Sequence, residues 1–202
     1  MNRLIIIGAS GHGKVVADIA RLNGYSDIVF LDNDKKFSSC LGYPVLGPDS
    51  MVSELDGEIF IAVGNAEIRK KLMEREQKRS FPILIHPKAV VAENTHIGEG
   101  TVIMAGAVIN PGVNIGKGCI INTGSSVDHD CEVKDYVHIS VGVHLCGTVI
   151  VEENTWIGAG TTVSNNVHIC SDCLVGAGAV VIKDIEIPGT YVGVPSRMLK
   201  ER

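Results

Sequence analysis

Ile97-Gly-Glu-Gly-Thr-Val-Ile103-Met-Ala-Gly-Ala-Val-Ile109-Asn-Pro-Gly-Val-Asn-Ile115 sets an aliphatic residue at every sixth place, and the same phase runs from Ile85 to Ile187. All eighteen residues on that count are Ile, Val or Leu. Four residues after each, the chain carries Ala, Thr, Val, Cys or Ser almost throughout, and the series closes on Ile185 and Tyr191. Six residues hold a short strand and a corner, and three such units close a triangular coil whose interior takes the aliphatic and small positions. A coil is then eighteen residues, and the series makes six of them. Gly98, Gly116, Gly158 and Gly176 directly follow an aliphatic residue and are expected at sharp corners.

In front of the array lies a different pattern. Leu4-Ile-Ile-Ile7 is a strand-length apolar run closed by Gly8-Ala-Ser-Gly-His-Gly13, after which Val15, Val16, Ile19, Ala20 and Leu22 recur at helical spacing. Ile28 to Leu31 predicts a second strand ending in Asp32-Asn33-Asp34, and Ile59 to Val63 a third, followed by Gly64-Asn65 and a charged helix from Glu67 to Lys78. The expected organisation is a Rossmann-like α/β unit with a small parallel sheet over 1–82, followed by a parallel β-helix over 83–202. Gly8, Gly11 and Gly13 let backbone approach a phosphate at a helix N-terminus, and the Asp32 carboxylate is set to accept hydrogen bonds from a sugar or base. About eighty residues make half a dinucleotide fold, which favours a nucleoside diphosphate or its sugar conjugate over NAD. A close turn without a ligand is the simpler alternative for the glycines.

Composition bounds the function. The chain has 202 residues, 45% of them hydrophobic, and a formal net charge of -5. A net acidic chain is a poor partner for nucleic acid. No apolar run is long enough to span a membrane, and Met1-Asn2-Arg3 leads into a strand without a signal-peptide pattern, so a cytoplasmic protein is expected. Cys119, Cys131 and Cys173 fall on the small position of the repeat, where size accounts for them. Cys170 and Cys173 are expected on different sides of the wall, so no metal site is expected.

Polar residues that break the repeat carry the candidate chemistry. His129 and Asp130 stand side by side where other coils have glycine and small polar residues, either as a general base with its carboxylate or as a surface pair. Eighteen residues on, Gly147 lies over His129, and its N–H is suited to face an oxyanion beside the imidazole. His138 and His144 fall on adjoining faces of the triangle and cannot converge on one metal within a chain, although an axis or groove between subunits could bring copies together; His144 otherwise reads as a solvated wall residue. Trp156 stacks one coil above His138, as packing or as a groove contact. His86-Pro87 and His96 are expected at the join between the two units.

Gly8-Ala-Ser-Gly-His-Gly13, Phe30-Leu-Asp-Asn33, Ala62-Val-Gly-Asn65, Val127-Asp-His-Asp-Cys131, His138-Ile-Ser-Val-Gly142 and Val192-Gly-Val-Pro-Ser-Arg197 together resemble the bacterial hexapeptide-repeat sugar acetyltransferases, the UDP-4-amino-sugar N-acetyltransferases and sialic acid O-acetyltransferases. The resemblance covers essentially the whole chain. It implies a left-handed β-helix, a homotrimer with acyl-CoA in the grooves between subunits, acetyl-CoA as co-substrate and no metal. It also implies His129 as catalytic base supported by Asp130, with His138, Gly147, Ala159 and Ala177 on the acetyl-CoA side. Ser10, Gly11, His12, Asp32, Asn33 and Gly64 match the nucleotide-sugar site. Asp130 departs from a Glu in the best-matching N-acetyltransferases, and Asn33 stands where a second acid is common. The activity implied is N-acetylation of a nucleotide-linked amino sugar. O-acetylation of sialic acid or a related sugar is one alternative, and a non-catalytic nucleotide-sugar-binding β-helix protein another.

Overall fold

A computed structural model of the chain describes residues 3–36 and 38–199; Met1 and Asn2, where the expected absence of a leader was read, lie outside the described residues. The apolar runs become β1 (Arg3–Ile7), β2 (Asp27–Leu31) and β5 (Glu58–Ile61), and the helical spacings become α1 (Gly11–Leu22) and α2 (Ala66–Arg75). α2 ends at Arg75 rather than Lys78, with Glu76 as its C-cap. Two strands escaped the sequence pattern: β3 (Ser39–Cys40) and β4 (Tyr43–Gly47). β4 contains Pro44 and alternates only between half-buried and exposed residues, and its outer neighbour is only the two-residue β3. The order is β3-β4-β2-β1-β5, parallel except for the antiparallel β3–β4 pair, so the sheet is mixed rather than wholly parallel.

From Leu84 onward the chain winds as a left-handed parallel β-helix with three faces. The first face stacks Leu84–Ile85, Val102–Ile103, Ile120–Ile121, His138–Ile139, Trp156–Ile157 and Leu174–Val175; the second runs from Val90–Val91 to Val180–Val181; the third runs from His96–Ile97 to His168–Ile169. Partners lie eighteen residues apart, as in His138 with Trp156 and Ser126 with His144. The inward residues from Ile103 to Val181 are almost wholly buried. Hydroxyls on the small positions bond corner carbonyls one coil on, as Thr101 Oγ1 does to Gly116 O at 2.8 Å and Thr161 Oγ1 to Gly176 O at 3.1 Å. Thr is thereby admitted to a dry interior.

Two details of the repeat differ from expectation. From Ile97 to Val175 the left-handed corner residue is the third after the aliphatic one, not the first: Gly100, Gly106, Gly112 and Gly118 have positive φ, whereas Gly98 and Gly116 do not. Gly158 and Gly176 are glycine for closeness instead, since a Cβ would come within 2.6 Å of Ala177 N and 2.8 Å of the Val192 side chain. The series also slips at its end. Ile169 pairs with Ile185 and Val175 with Tyr191, which leaves Ile187 62% exposed. Asp184 Oδ1 accepts the His168 N–H at 2.9 Å, a role filled by a backbone carbonyl in the coil below.

The α/β unit packs on the first face. Val16, Ile19 and Ala20 of α1 share one apolar cluster with Leu84, Val102, Met104 and Ile120. Asn23 pairs with the backbone of Ile85 through both ends of its amide, at 2.8 and 3.1 Å, and so imitates a neighbouring strand. The second tie is Arg69, 1% exposed, whose guanidinium donates to Gly118 O (2.6 Å), Tyr136 O (2.6 Å), Val63 O (2.8 Å) and Gly64 O (3.0 Å). These contacts, rather than His86 or His96, make the join.

Candidate active site

His129 sits at the corner between the second and third faces, in the turn that follows Ser126–Val127. Its Nδ1 is 2.8 Å from Asp130 Oδ2. A carboxylate accepts the Nδ1 hydrogen, so Nε2 carries the free lone pair. Asp130 occupies the left-handed corner position (φ 58), a conformation that Asp tolerates better than most residues. The shorter acid therefore reaches the imidazole from a turned backbone. Asp128 acts on the other side: its Oδ1 accepts the His129 N–H at 2.8 Å and the Asn110 amide at 2.7 Å. The hydrogen bond to Asp130 raises the His129 pKa above the ordinary value; desolvation, the next largest effect, opposes it, and the charges of Asp128 and Asp130 add smaller upward pulls.

Gly147 lies one coil above. A Cβ built on it would stand 2.5 Å from His129 Nε2, so any side chain here displaces the imidazole. Thr148 N donates to His129 O at 2.9 Å, holding the two turns in register. Among the described residues nothing accepts from the Gly147 N–H. An imidazole nitrogen and a backbone donor without an acceptor thus lie on adjacent turns of one corner, the two kinds of group needed to take a proton and to stabilise an oxyanion.

His138 and His12 lie elsewhere, and their pKa values are displaced the other way. His138 is on the first face, its ring stacked on Trp156 with centroids 4.9 Å apart. Its Nε2 is 3.3 Å from the Asn122 amide nitrogen, while Nδ1 is enclosed without a partner. Burial, then the positive charge of Arg69 and the nearby His12, pulls its pKa down to about 3. His12, in the first turn of α1, has an enclosed, unpartnered Nε2, and burial followed by Arg69 lowers it to about 4. Both rings are neutral at pH 7.

A cavity of about 330 Å³ opens between the two units, bounded by Gly64, Asn65, Ala66 and Glu67 at the start of α2 and by His138, Trp156, Asp172 and Leu174 of the β-helix. Across Trp156 lies a groove of about 310 Å³ lined by Ser140, Gly158, Ala159, Gly176 and Ala177, at the corner between the first and second faces. Its small residues and shallow apolar floor fit a thin, extended chain such as the pantetheine arm of CoA. The indole of Trp156 is fixed by donating to Ser140 Oγ at 2.7 Å, so it both packs on His138 and lines both cavities.

In the N-terminal loop Gly8 has φ 111 and a Cβ there would meet Ala62 O at 2.6 Å, while a Cβ on Gly11 would meet nothing within 4 Å. Gly8 is thus glycine for the fold and Gly11 leaves open space for an approaching group. Ser10 caps α1 without a side-chain hydrogen bond, which leaves first-turn N–H groups for an anion. Asp32 accepts from Ala9 N (2.7 Å) and Asp34 N (2.8 Å), one bond per carboxylate oxygen, and each oxygen keeps a lone pair. Asn33 pairs with Asp49 through both ends of its amide. Gly64 presents its carbonyl to Arg69.

Ser10, Gly11, Asp32 and Asn33 lie just after β1 and β2, and the structure gathers the other sequence candidates into two groups. His129, Asp130 and Gly147 share one corner; His138, Gly64, Ala159 and Ala177 border the cavity and groove on and beside the first face, close to His12. Neither cavity includes His129. Asp128, Asn110, Asn122 and Arg69 were missed, though Asn110 and Asp128 are eighteen residues apart, a spacing that the repeat makes readable. Cys170 and Cys173 need correction: their sulfurs are 3.5 Å apart on one side of the wall, both as free thiols. Among the described residues no group of three or more His, Cys, Asp or Glu is set to hold a metal, and no helix is long and apolar enough to cross a membrane.

Both halves of the chain match known protein families. Residues 3–75 match the PglD N-terminal domain, residues 94–129 the hexapeptide repeat of succinyl-transferase, and residues 148–183 the bacterial transferase hexapeptide. The chain is 41% identical over 116 residues to UDP-N-acetylbacillosamine N-acetyltransferase of Bacillus subtilis (strain 168), a match spanning 52% of each chain. It is 30% identical over 166 residues to GDP-perosamine N-acetyltransferase of Escherichia coli O157:H7, covering 77% of this chain and 75% of that one. The acetyltransferase domain of PglB from Neisseria gonorrhoeae FA1090 in complex with acetyl coenzyme A superposes with a TM-score of 0.94 at 40% identity, over 98% of this chain and 100% of that one. With both halves matched in order and the likeness extending over its length, the chain belongs to the acetyl-CoA-dependent nucleotide-sugar N-acetyltransferases that join a PglD N-terminal domain to a hexapeptide-repeat β-helix.

Proposed function

We propose that the protein transfers the acetyl group of acetyl-CoA directly to the amine of a nucleotide-linked amino sugar, with His129 as general base. The observation that carries this is the His129 Nε2 lone pair, left free by Asp130 on Nδ1 and packed against Gly147, whose N–H has no acceptor among the described residues. The amine attacks the thioester carbonyl, and the new C–N bond forms as the oxygen gains charge beside Gly147 N–H. His129 Nε2 takes the proton from nitrogen. The C–S bond then breaks, and the imidazolium returns the proton to the CoA thiolate. Among the described residues no Ser or Cys is hydrogen-bonded to His129, which favours direct transfer over an acyl-enzyme.

Residues 1–82 take the nucleotide sugar in this scheme and residues 83–202 take acetyl-CoA. Ser10, Gly11 and His12 at the α1 N-terminus suit the diphosphate, with Asp32, Asn33 and Gly64 around the sugar nucleotide. Glu67 and Asp172 are the charged side chains of the cavity, which suits an amine and disfavours the carboxylate of sialic acid. Ala159 and Ala177 line the pantetheine groove, and His138 and Trp156 stand at its end. A donor and acceptor bound there meet His129 only if it comes from another copy, because within one chain His129 is at a different corner of the triangle. A homotrimer supplies that second copy. Acetyl-CoA and nucleotide sugars are metabolites of the cytoplasm, where the reaction belongs.

The test is CoA thiol release from acetyl-CoA with GDP-perosamine, a UDP-4-amino-sugar and sialic acid as acceptors. Turnover with a nucleotide amino sugar and none with sialic acid is expected. Release with sialic acid alone makes the protein an O-acetyltransferase, and tight nucleotide-sugar binding without any release makes it a binding protein.

A further inference from the structure

The corner that carries His129 contains a column of left-handed residues stacked coil upon coil: Gly112 (φ 78), Asp130 (φ 58), Thr148 (φ 59) and Asn166 (φ 60). Three of the four carry side chains. The backbone conformation therefore does not itself require glycine in this column, and Gly112 needs another reason. Members of the column touch along it, since Thr148 Oγ1 donates to Asn166 Oδ1 at 2.6 Å. Thr148 is engaged upward and with Gly147 O, away from Asp130. Below Asp130 the neighbour is Gly112. A Cβ built there would overlap Asp130 Oδ1 and lie 3.3 Å from its Cγ, but 3.4 Å from Asp130 N, an ordinary contact. The carboxylate would have to yield while the backbone stays, and that carboxylate holds His129 Nδ1 through its other oxygen at 2.8 Å.

We infer that Gly112 is a positioning residue for the reaction: by offering no side chain to the corner column it leaves the Asp130 carboxylate its place against His129, and so fixes which imidazole nitrogen is the base. Asp128 does not substitute for Asp130, because its Oδ1 is held by the His129 N–H and by Asn110. The groups stacked around the ring are Asn110, Pro111 and Gly112 below and Cys146, Gly147 and Thr148 above. Apart from the Cys146 thiol, the titratable neighbours of His129 at this corner are thus Asp128 and Asp130.

The inference rests on His129 as the base, and the experiment separates the two. Gly112→Ala is compared with Gly106→Ala, which bears similar backbone strain (φ 70) but meets its first neighbour only at 3.8 Å. His129 is titrated by NMR in the ligand-free protein, its ring signal assigned by loss in His129→Gln. CoA release is followed with acetyl-CoA and GDP-perosamine or a UDP-4-amino-sugar. Gly112→Ala is expected to move the His129 titration down toward the ordinary histidine value and to slow turnover about tenfold, the size of one charge-assisted hydrogen bond. Asp130→Asn should do the same, and adding it to Gly112→Ala should cost little more. Gly106→Ala should leave both readouts at wild-type values. A wild-type His129 titration in Gly112→Ala, or turnover equal to Gly106→Ala, overturns the role of Gly112. If Gly112→Ala does not fold, Asp130→Asn decides: an unmoved His129 titration shows that there is no Asp130 hold for Gly112 to protect. Full turnover in His129→Gln sinks the base assignment itself.

Discussion

His129 and His138 stand on one circuit of the same β-helix and end in opposite states. At the corner between the second and third faces His129 is open to solvent, flanked by Asp128 and Asp130, and its pKa is raised. On the first face His138 lies beneath the α/β unit, stacked on Trp156 and near the buried Arg69, and its pKa falls to about 3. The repeat places His129 in a corner turn, two residues after Val127, and His138 on a strand, directly before Ile139. What separates their states is what covers the wall: water and acids at the corner, a second unit with a buried cation on the face. An exposed base and an enclosed neutral ring can thus be drawn from one regular scaffold.

The sharpest test of the contrast is His129→Ala, which should lower kcat by about 10²- to 10⁴-fold, the range of a positioned general base, with KM little changed. Steady-state CoA release measures this, and turnover at the wild-type rate ends the assignment. Arg69→Met should cost about 3 kcal/mol in urea unfolding, because four carbonyls at the seam lose a charged donor and are left buried. Removing that charge should also raise the His12 and His138 titrations while His129 stays unmoved, since Arg69 acts on the first two only. If all three move together, the seam does not distinguish the two regions.

Acid should separate them next. For His12 and His138 the folded pKa is below the ordinary histidine value, so the unfolded chain binds more protons and stability falls as pH drops through the window from 6.5 to about 4 and about 3 respectively. At pH 5 each enclosed histidine should cost about 2 kcal/mol relative to pH 8. His129 has the opposite sign: its raised pKa favours the folded state at low pH and loses that contribution as pH rises through the folded value. Thermal unfolding between pH 5 and pH 8 should show a decline in acid that His138→Asn reduces and His129→Gln does not.

Much of this was legible in the chain. The six-residue phase from Ile85 gave the coil, the three faces and the stacking of Gly147 on His129, because a solenoid converts sequence distance directly into spatial distance. The alternation of apolar runs with helical spacing before it gave β1, α1, β2 and α2. β3 and β4 were hidden because β3 has only two residues and β4 buries none of its residues fully, too little to leave a pattern. The last coil was miscounted because Ile185 and Ile187 are equally aliphatic, and only pairing with Ile169 decides between them.

The sequence by itself determined the architecture, the order of its two units and the pairing of a histidine with a carboxylate at one corner, since these follow from local periodicity. Tertiary structure alone decided the rest. It set Arg69, a plain member of a charged helix, as the buried clamp between the units. It made His138 a neutral ring and turned Trp156 into the wall between cavity and groove. It also gave Gly112 a neighbour to protect. The physical reason is that solvation and electrostatic state depend on which surfaces meet across the chain, and a repeat that specifies its own coil does not encode what packs upon it.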